Sequence, residues 1–266
     1  MKIQDTFIVN ISDMHCGSSR AIFPNHFMQF EHTNYTPTDT QKKIHAHWLK
    51  CADYARQNRK SKRMIIVHNG DAIEGIHHGS IQAVSPSWDD HVEIHLELMD
   101  EFLKRAGFSK KNGDELNYLS GTESHTADKE SGIAKDLKAD HYEHEFEMKI
   151  NGRRLWYTHH GAGAGDGANE GDGYRNWLKR IYWNCVKGKK PIPDMVVTGH
   201  FHKPVYNIYV QDYHLLHGMM LPSWQMKTRY AYKAAPFQRN DIGMSFYDVT
   251  VDGDIRVHKP LIMEIA

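Results

Sequence analysis

Short apolar runs that stop on a carboxylate or an imidazole recur along this chain, and that recurrence limits its fold more than any other feature. Phe7-Ile8-Val9-Asn10-Ile11 leads into Ser12-Asp13-Met14-His15, and Met64-Ile65-Ile66-Val67 into His68-Asn69-Gly70-Asp71. Leu116-Asn117-Tyr118-Leu119 leads into Ser120-Gly121-Thr122-Glu123-Ser124-His125, and Arg154 to Thr158 into His159-His160-Gly161. Met195-Val196-Val197-Thr198 leads into Gly199-His200-Phe201-His202. Runs this short, rich in β-branched and aromatic residues, read as buried strands. Open α/β sheets hold their ligands just past the strand ends. The expectation is an α/β chain that gathers polar side chains at one edge of a sheet.

Helical spacing fills the gaps between the runs. Thr38 or Asp39 caps a helix reaching about Asn58, with Ile44, Trp48, Ala52 and Ala55 on its buried face and His45 and His47 in solvent. Ser85-Pro86-Ser87 opens a second helix whose core face is read as Trp88, Val92, Leu96, Met99 and Leu103. A short helix is expected over Thr126 to Leu137. Asn151-Gly152 joins Phe146–Ile150 to Arg154–Thr158 as a hairpin. A helix from about Tyr174 to Val186 turns aromatics inward and Arg175, Lys179 and Arg180 outward. The remainder reads as antiparallel strands over Val205–Val210, His214–His217, Met244–Val251 and Ile255–His258. The Gly-rich stretch from Gly161 to Gly173 fits neither a phosphate loop nor a dinucleotide fingerprint and reads as a lid. No linker, repeat or low-complexity tract divides the chain, so one domain is expected over residues 1–266.

Composition excludes several classes. Lys+Arg and Asp+Glu balance at 33 each, so no global field draws the protein to nucleic acid or membrane. Three cysteines give no disulfide framework and suit a reducing compartment. No basic-then-apolar leader and no membrane-length apolar run is present, so a cytoplasmic protein is expected. The unusual count is 20 histidines.

Carboxylate oxygens and imidazole nitrogens together suit Mn, Fe or Zn. One ion needs about four protein ligands, so five strand ends bearing Asp13/His15, Asp71, Glu123/His125, His159/His160 and His200/His202 imply two ions. Adjacent cations need a bridging anion, and Asp71 is the candidate.

The ordered set Asp-x-His, Gly-Asp, Gly-x-x-x-His, His-Gly and Gly-His-x-His resembles the calcineurin-like metallophosphoesterase superfamily from Asp13 to His202. The resemblance implies two mixed β-sheets packed as a sandwich and flanked by helices, in four layers. It implies that Asp13, His15 and His202 hold a first metal, that Asp71 bridges, and that His200 and His160 hold the second. His159 takes that place if the register shifts by one. The third motif departs from the family's Gly-Asn-His: Glu123 is read in the amide ligand's place and His125 as the acid for the leaving group, one position late. The activity implied is hydrolysis of a phosphate ester by metal-activated hydroxide, a phosphodiester being favoured over a monoester. Nucleic acid is admitted as substrate by the cationic, aromatic segments Tyr174–Trp183 and Met226–Lys233. The alternative is a phosphate-ester or nucleic-acid binding protein whose metal site is not catalytic. His77 and His78 are further residues that could touch substrate.

Overall fold

A computed structural model of the chain describes residues 4–76, 82–126, 128–165, 167–234 and 240–264. His77 and His78 lie outside the described residues. In chain order the strands are β1 (Thr6–Ile11), β2 (Met28–Gln29), β3 (Asn34–Tyr35), β4 (Arg63–His68), β5 (Glu115–Leu119), β6 (His141–Glu143) and β7 (Glu145–Ile150). They continue as β8 (Arg153–Thr158), β9 (Met195–Thr198), β10 (Val205–Gln211), β11 (His214–Met220), β12 (Gly243–Val249), β13 (Ile255–Val257) and β14 (Leu261–Ile262). The helices are α1 (Asp39–Arg59), α2 (Trp88–Ala106), α3 (Glu123–Thr126), α4 (Lys129–Asp136), α5 (Asp172–Lys187) and α6 (Arg229–Ala234).

Two mixed sheets result. The first runs β13-β12-β1-β4-β5-β6, with β1, β4, β5 and β6 parallel and β12 antiparallel to β1; β14 also pairs with β12. The second runs β10-β11-β9-β8-β7, parallel in its centre and antiparallel at both edges. Side-chain alternation along the strands builds the layers. In β1, Phe7, Val9 and Ile11 join α1 and α2 in one core cluster, while Ile8 joins Leu155, Met195, Val197 and Tyr247 in another between the sheets. In β9, Val196 points the other way, against Leu178 and Tyr182 of α5. Helices, sheet, sheet and helix make a four-layer α/β sandwich, the class expected.

Local signals explain the helices. The Thr38 side chain accepts from Gln41 N, and Gln41 reaches back to the Thr38 amide, a complete capping box. Ile44, Trp48, Ala52 and Ala55 are all buried as expected. His45 is not in solvent: it is buried with Nε2 2.7 Å from Glu101 Oε2, so the stripe is wider than apolar residues alone indicate. In α2, Ser87 caps the start and Gly107, at φ 72°, closes the end by donating to Leu103 and Lys104 carbonyls. Its buried face is His91, Ile94, His95, Leu98, Met99, Phe102 and Ala106. Trp88, Val92, Leu96 and Leu103, expected in the core, flank it half-buried. Two histidines counted as polar rotate the true face away from the expected one. His91 Nε2 lies 3.0 Å from the Ser85 carbonyl, and His95 Nε2 lies 2.9 Å from Tyr118 OH, so each has a partner inside.

At the sheet end where β4 and β5 begin, Asp114 is buried and accepts from Arg59 Nη1 (2.7 Å), Arg59 Nη2 (2.9 Å), Met64 N (2.8 Å) and Ser109 N (2.8 Å). Removing one partner of a buried pair leaves the other charge uncompensated. Asp114→Ala should therefore lower the urea unfolding free energy by about 3–5 kcal/mol. A loss below about 1 kcal/mol would mean the pair behaves as a surface one.

Candidate metal centre

Parallel strands β1, β4 and β5 end side by side, and the loops after them are sewn together by backbone. Asp13 N donates to Gly70 O (3.0 Å), His15 N to Asp71 O (3.0 Å) and Asn69 N to Ile11 O (2.7 Å). From the second sheet, Gly199 N donates to His159 O at 3.0 Å, holding the ends of β8 and β9 together. The two sheets thus deliver their strand ends to one place.

Four overlapping groups of carboxylate and imidazole atoms form there, each with its ligand atoms within 4.8 Å of one another: Asp13/His15/His202, His15/Asp71/His125, Asp13/Asp71/His159 and His159/His160/His200. Asp13, His15, Asp71, His125, His160, His200 and His202, all expected at the site, therefore converge. His159 converges with them, so both histidines before Gly161 belong to the cluster. Glu123 does not: it opens α3, is exposed and takes part in none of the four groups.

Hydrogen bonds fix the orientation of several of these groups. Asp13 Oδ2 accepts from Ser12 Oγ and from His200 N (3.0 Å), which leaves Oδ1 toward the cluster, 3.2 Å from His202 Nε2. Asp71 Oδ1 accepts from Thr122 N at 2.6 Å, and its Oδ2 lies 3.2 Å from His159 Nε2 and 3.8 Å from His15 Nε2. His159 Nδ1 donates to Asn69 O at 2.6 Å, so its Nε2 is the nitrogen presented. Glu74 Oε2, itself held by Gln225 Nε2 at 2.7 Å, lies 3.0 Å from His15 Nδ1, an ion-pair contact without aligned hydrogen-bond geometry. The Asn240 side-chain amide lies 2.9 Å from His202 Nδ1. Carboxylates or amides behind metal-binding imidazoles fix ring and tautomer in this way.

The backbone carries a second signature. Among the described residues eleven non-glycine residues adopt a left-handed φ, and five of them are Asp13 (53°), His15 (46°), Asp71 (53°), His200 (71°) and His202 (56°). Each such conformation costs on the order of 1 kcal/mol or more and persists where surrounding structure enforces it, commonly at functional sites. Glycines make the enforcement possible. A Cβ on Gly121 would sit 2.1 Å from Asp71 Oδ1, and one on Gly199 would sit 2.2 Å from Ser12 Oγ.

Electrostatics match cation ligands. Burial opposes charge on His159 and His15, but Asp71 outweighs it at the first and Glu74 with Asp71 at the second, raising them to about 10 and about 9. Burial would raise Asp13, yet His202 and His159 hold its carboxyl well below the usual range. Burial and then His159 push His200 down to about 4. The buried atoms Asp13 Oδ1 and His159 Nε2 have no hydrogen bond despite their close ionic neighbours. Mixed O/N donors with such orphaned atoms fit divalent transition-metal ions.

A pH dependence follows. Without metal, both raised histidines are protonated at pH 7, and a cation must displace those protons. Binding at pH 7 should release about two protons, read by calorimetry in buffers of different ionisation enthalpy. Affinity should rise with pH until about 9–10. In the metal-free chain the same two groups add stability that is present below the ordinary histidine pKa and lost as pH climbs through 9–10. Proton release near zero at pH 7 would contradict the assignment of these nitrogens.

Sequence reading missed Glu74, Thr122 and Asn240. Glu74, an acid three residues beyond Asp71, offered a signal in its residue type. Thr122 acts on Asp71 through its backbone N–H, which no residue type announces.

Neither a scan of protein-family models nor a search of curated proteins finds a match. Solved structures that resemble the chain loosely include the following three. The Thermotoga maritima protein TM1076 is 13% identical with a TM-score of 0.39, over 98% of this chain and 99% of that one. The Thermus thermophilus sulfate thiohydrolase SoxB is 8% identical with a TM-score of 0.40, over 98% of this chain and 58% of that one. The Candida albicans 5'-nucleotidase is 9% identical with a TM-score of 0.38, over 95% of this chain and 49% of that one. The chain thus spans about half the length of the latter two. Likeness this loose carries no argument about activity.

Proposed function

We propose that this chain is a single-domain, dinuclear-metal-dependent phosphoesterase of the calcineurin-like kind, acting on a phosphodiester in preference to a monoester. The observation that carries the reading is the overlap of the four ligand groups, three sharing Asp13 or Asp71 and the fourth joined to them through His159, with five of their residues in left-handed backbone. Asp13, His15 and His202 would hold one ion and His159, His160 and His200 the other, with Asp71 between. His159 and His160 together supply the second ion's imidazoles, in place of the single histidine expected. Glu123, read in the amide ligand's place, is exposed, and the extra imidazole would make up the donor lost there.

When bound, two such ions supply Lewis acidity to a phosphoryl oxygen and a hydroxide near neutral pH. The chain's own groups do the remainder. Asp71 would supply the negative charge that offsets the repulsion of two such ions. His159, fixed by Asn69 O, keeps Nε2 inward. His125 has Nδ1 3.2 Å from the Glu74 carbonyl, an acceptor, so Nδ1–H is engaged there and only the doubly protonated ring would have a second proton, on Nε2, to give a leaving alkoxide. The exposed Arg175, Lys179 and Arg180 of α5 support a polyanionic diester such as a nucleotide or nucleic acid. Three free cysteines support a reducing, cytoplasmic location. No helix among the described residues is long and apolar enough to cross a membrane.

The test is turnover of an activated diester and an activated monoester with added Mn2+. Diester hydrolysis that needs the metal, and exceeds monoester hydrolysis, is expected. A second reading, a phosphate-ester binder without turnover, is favoured by the exposure of Glu123, which leaves the third strand end without the expected carboxylate ligand. Binding of the diester with no hydrolysis at any metal concentration would establish it.

A further inference from the structure

Glu130 lies in the first turn of α4 and is fully buried. A carboxylate inside a protein is costly unless paired or hydrogen-bonded. Among the described residues no cation pairs with it. Its Oε1 accepts from Ala72 N at 2.8 Å and its Oε2 from Gly121 N at 2.6 Å. Ala72 directly follows Asp71. Gly121 directly precedes Thr122, whose N–H donates to Asp71 Oδ1. One carboxylate therefore ties the loop after β4 to the loop after β5 on either side of the bridging residue. The approach is close enough that a Cβ on Gly121 would meet Asp71 N at 2.2 Å. Asp71 itself is held at φ 53°, a conformation it would leave if released.

We propose that Glu130 is a positioning residue for the cation site: by gripping the Ala72 and Gly121 amides it holds Asp71 left-handed, with Oδ1 on Thr122 N and Oδ2 turned toward His15 and His159. The proposal rests on the two-ion reading. Packing of α4 is a separate matter, carried by Ile133 and Ala134 in the core. An amide in place of the carboxylate keeps the size of the side chain but turns an NH2 toward one of the two N–H donors. Asp71 is then released from one side.

The test titrates Mn2+ into the metal-stripped full chain of the parent and of Glu130→Gln, with thermal unfolding of both metal-free. Affinity should fall roughly 10- to 100-fold in Glu130→Gln while the metal-free chain still unfolds cooperatively, and kcat should fall with KM unchanged. A merely structural role would lower the unfolding midpoint and leave the affinity of the folded fraction alone; that result, or equal affinity, overturns the proposal. Should Glu130→Gln not fold, Glu130→Asp, too short to reach both amides, should bind Mn2+ less tightly than the parent; parental affinity overturns the proposal. A parent chain that takes up no Mn2+ would end the two-ion reading instead. The grip is then read from hydrogen exchange at Ala72 and Gly121: protection in the parent, lost at least about tenfold in Glu130→Gln, supports it, and unchanged exchange overturns it.

Discussion

Asp71→Asn will fold and will hydrolyse an activated phosphodiester at least on the order of 1000-fold more slowly than the parent. The substitution keeps an oxygen for Thr122 N, so the 2.6 Å bond that orients the side chain can persist. It removes the negative charge that faces His159 Nε2 at 3.2 Å and His15 Nε2 at 3.8 Å. Two divalent ions a few ångströms apart repel strongly, and a neutral amide does not offset that repulsion. Mn2+ uptake should drop with activity, and far-UV circular dichroism should not change. Asp71→Asn with parental turnover would end the proposed mechanism.

Gly121→Ala will cut activity about 100-fold or more without replacing any ligand residue. Its added methyl carbon would lie 2.1 Å from Asp71 Oδ1, 2.2 Å from Asp71 N and 2.8 Å from Asp71 Cα. Two of these are backbone atoms, so no rotamer change relieves the clash. Either strand-end loop must move, and a displacement near 1 Å in a positioned group is worth about 100-fold in rate. We expect that loss or more, with weaker Mn2+ binding. Gly132→Ala is the matched control, since a Cβ there meets nothing within 4 Å. Parental kinetics in Gly121→Ala would show that the contact between the two loops does not position Asp71.

Strands β1, β4, β5 and β9 were legible because short apolar runs bounded by Gly, Asp and His are a local signal. The start of α1 was legible from Thr38 and Asp39, both cap-forming residues, and the structure makes Thr38 the cap. The face of α2 was not, because His91 and His95 are buried through partners, Ser85 O and Tyr118 OH, that only the tertiary fold supplies. The third strand end divides along the same line. Residue type pointed to Glu123, yet α3 starts at that residue and turns it to solvent, while the neighbouring Thr122 meets Asp71 through its amide. Counting along the chain could not separate His159 from His160. Burial separates their surroundings: His159 is enclosed and held by Asn69 O, whereas His160 is exposed with Nε2 3.4 Å from Thr122 Oγ1. Glu74 offered only its residue type as a signal, since its partner Gln225 is remote in sequence, and Glu130 was invisible as a support because the Ala72 and Gly121 amides carry no side-chain signature.

An anomalous-scattering map from crystals grown with Mn2+ is the most direct measurement of whether these side chains gather around a pair of cations. Two peaks roughly 3.5–4 Å apart are predicted, one among Asp13, His15 and His202, the other among His159, His160 and His200, with Asp71 touching both. A map with no peak there, or with one ion that Asp71 does not touch, would contradict the account.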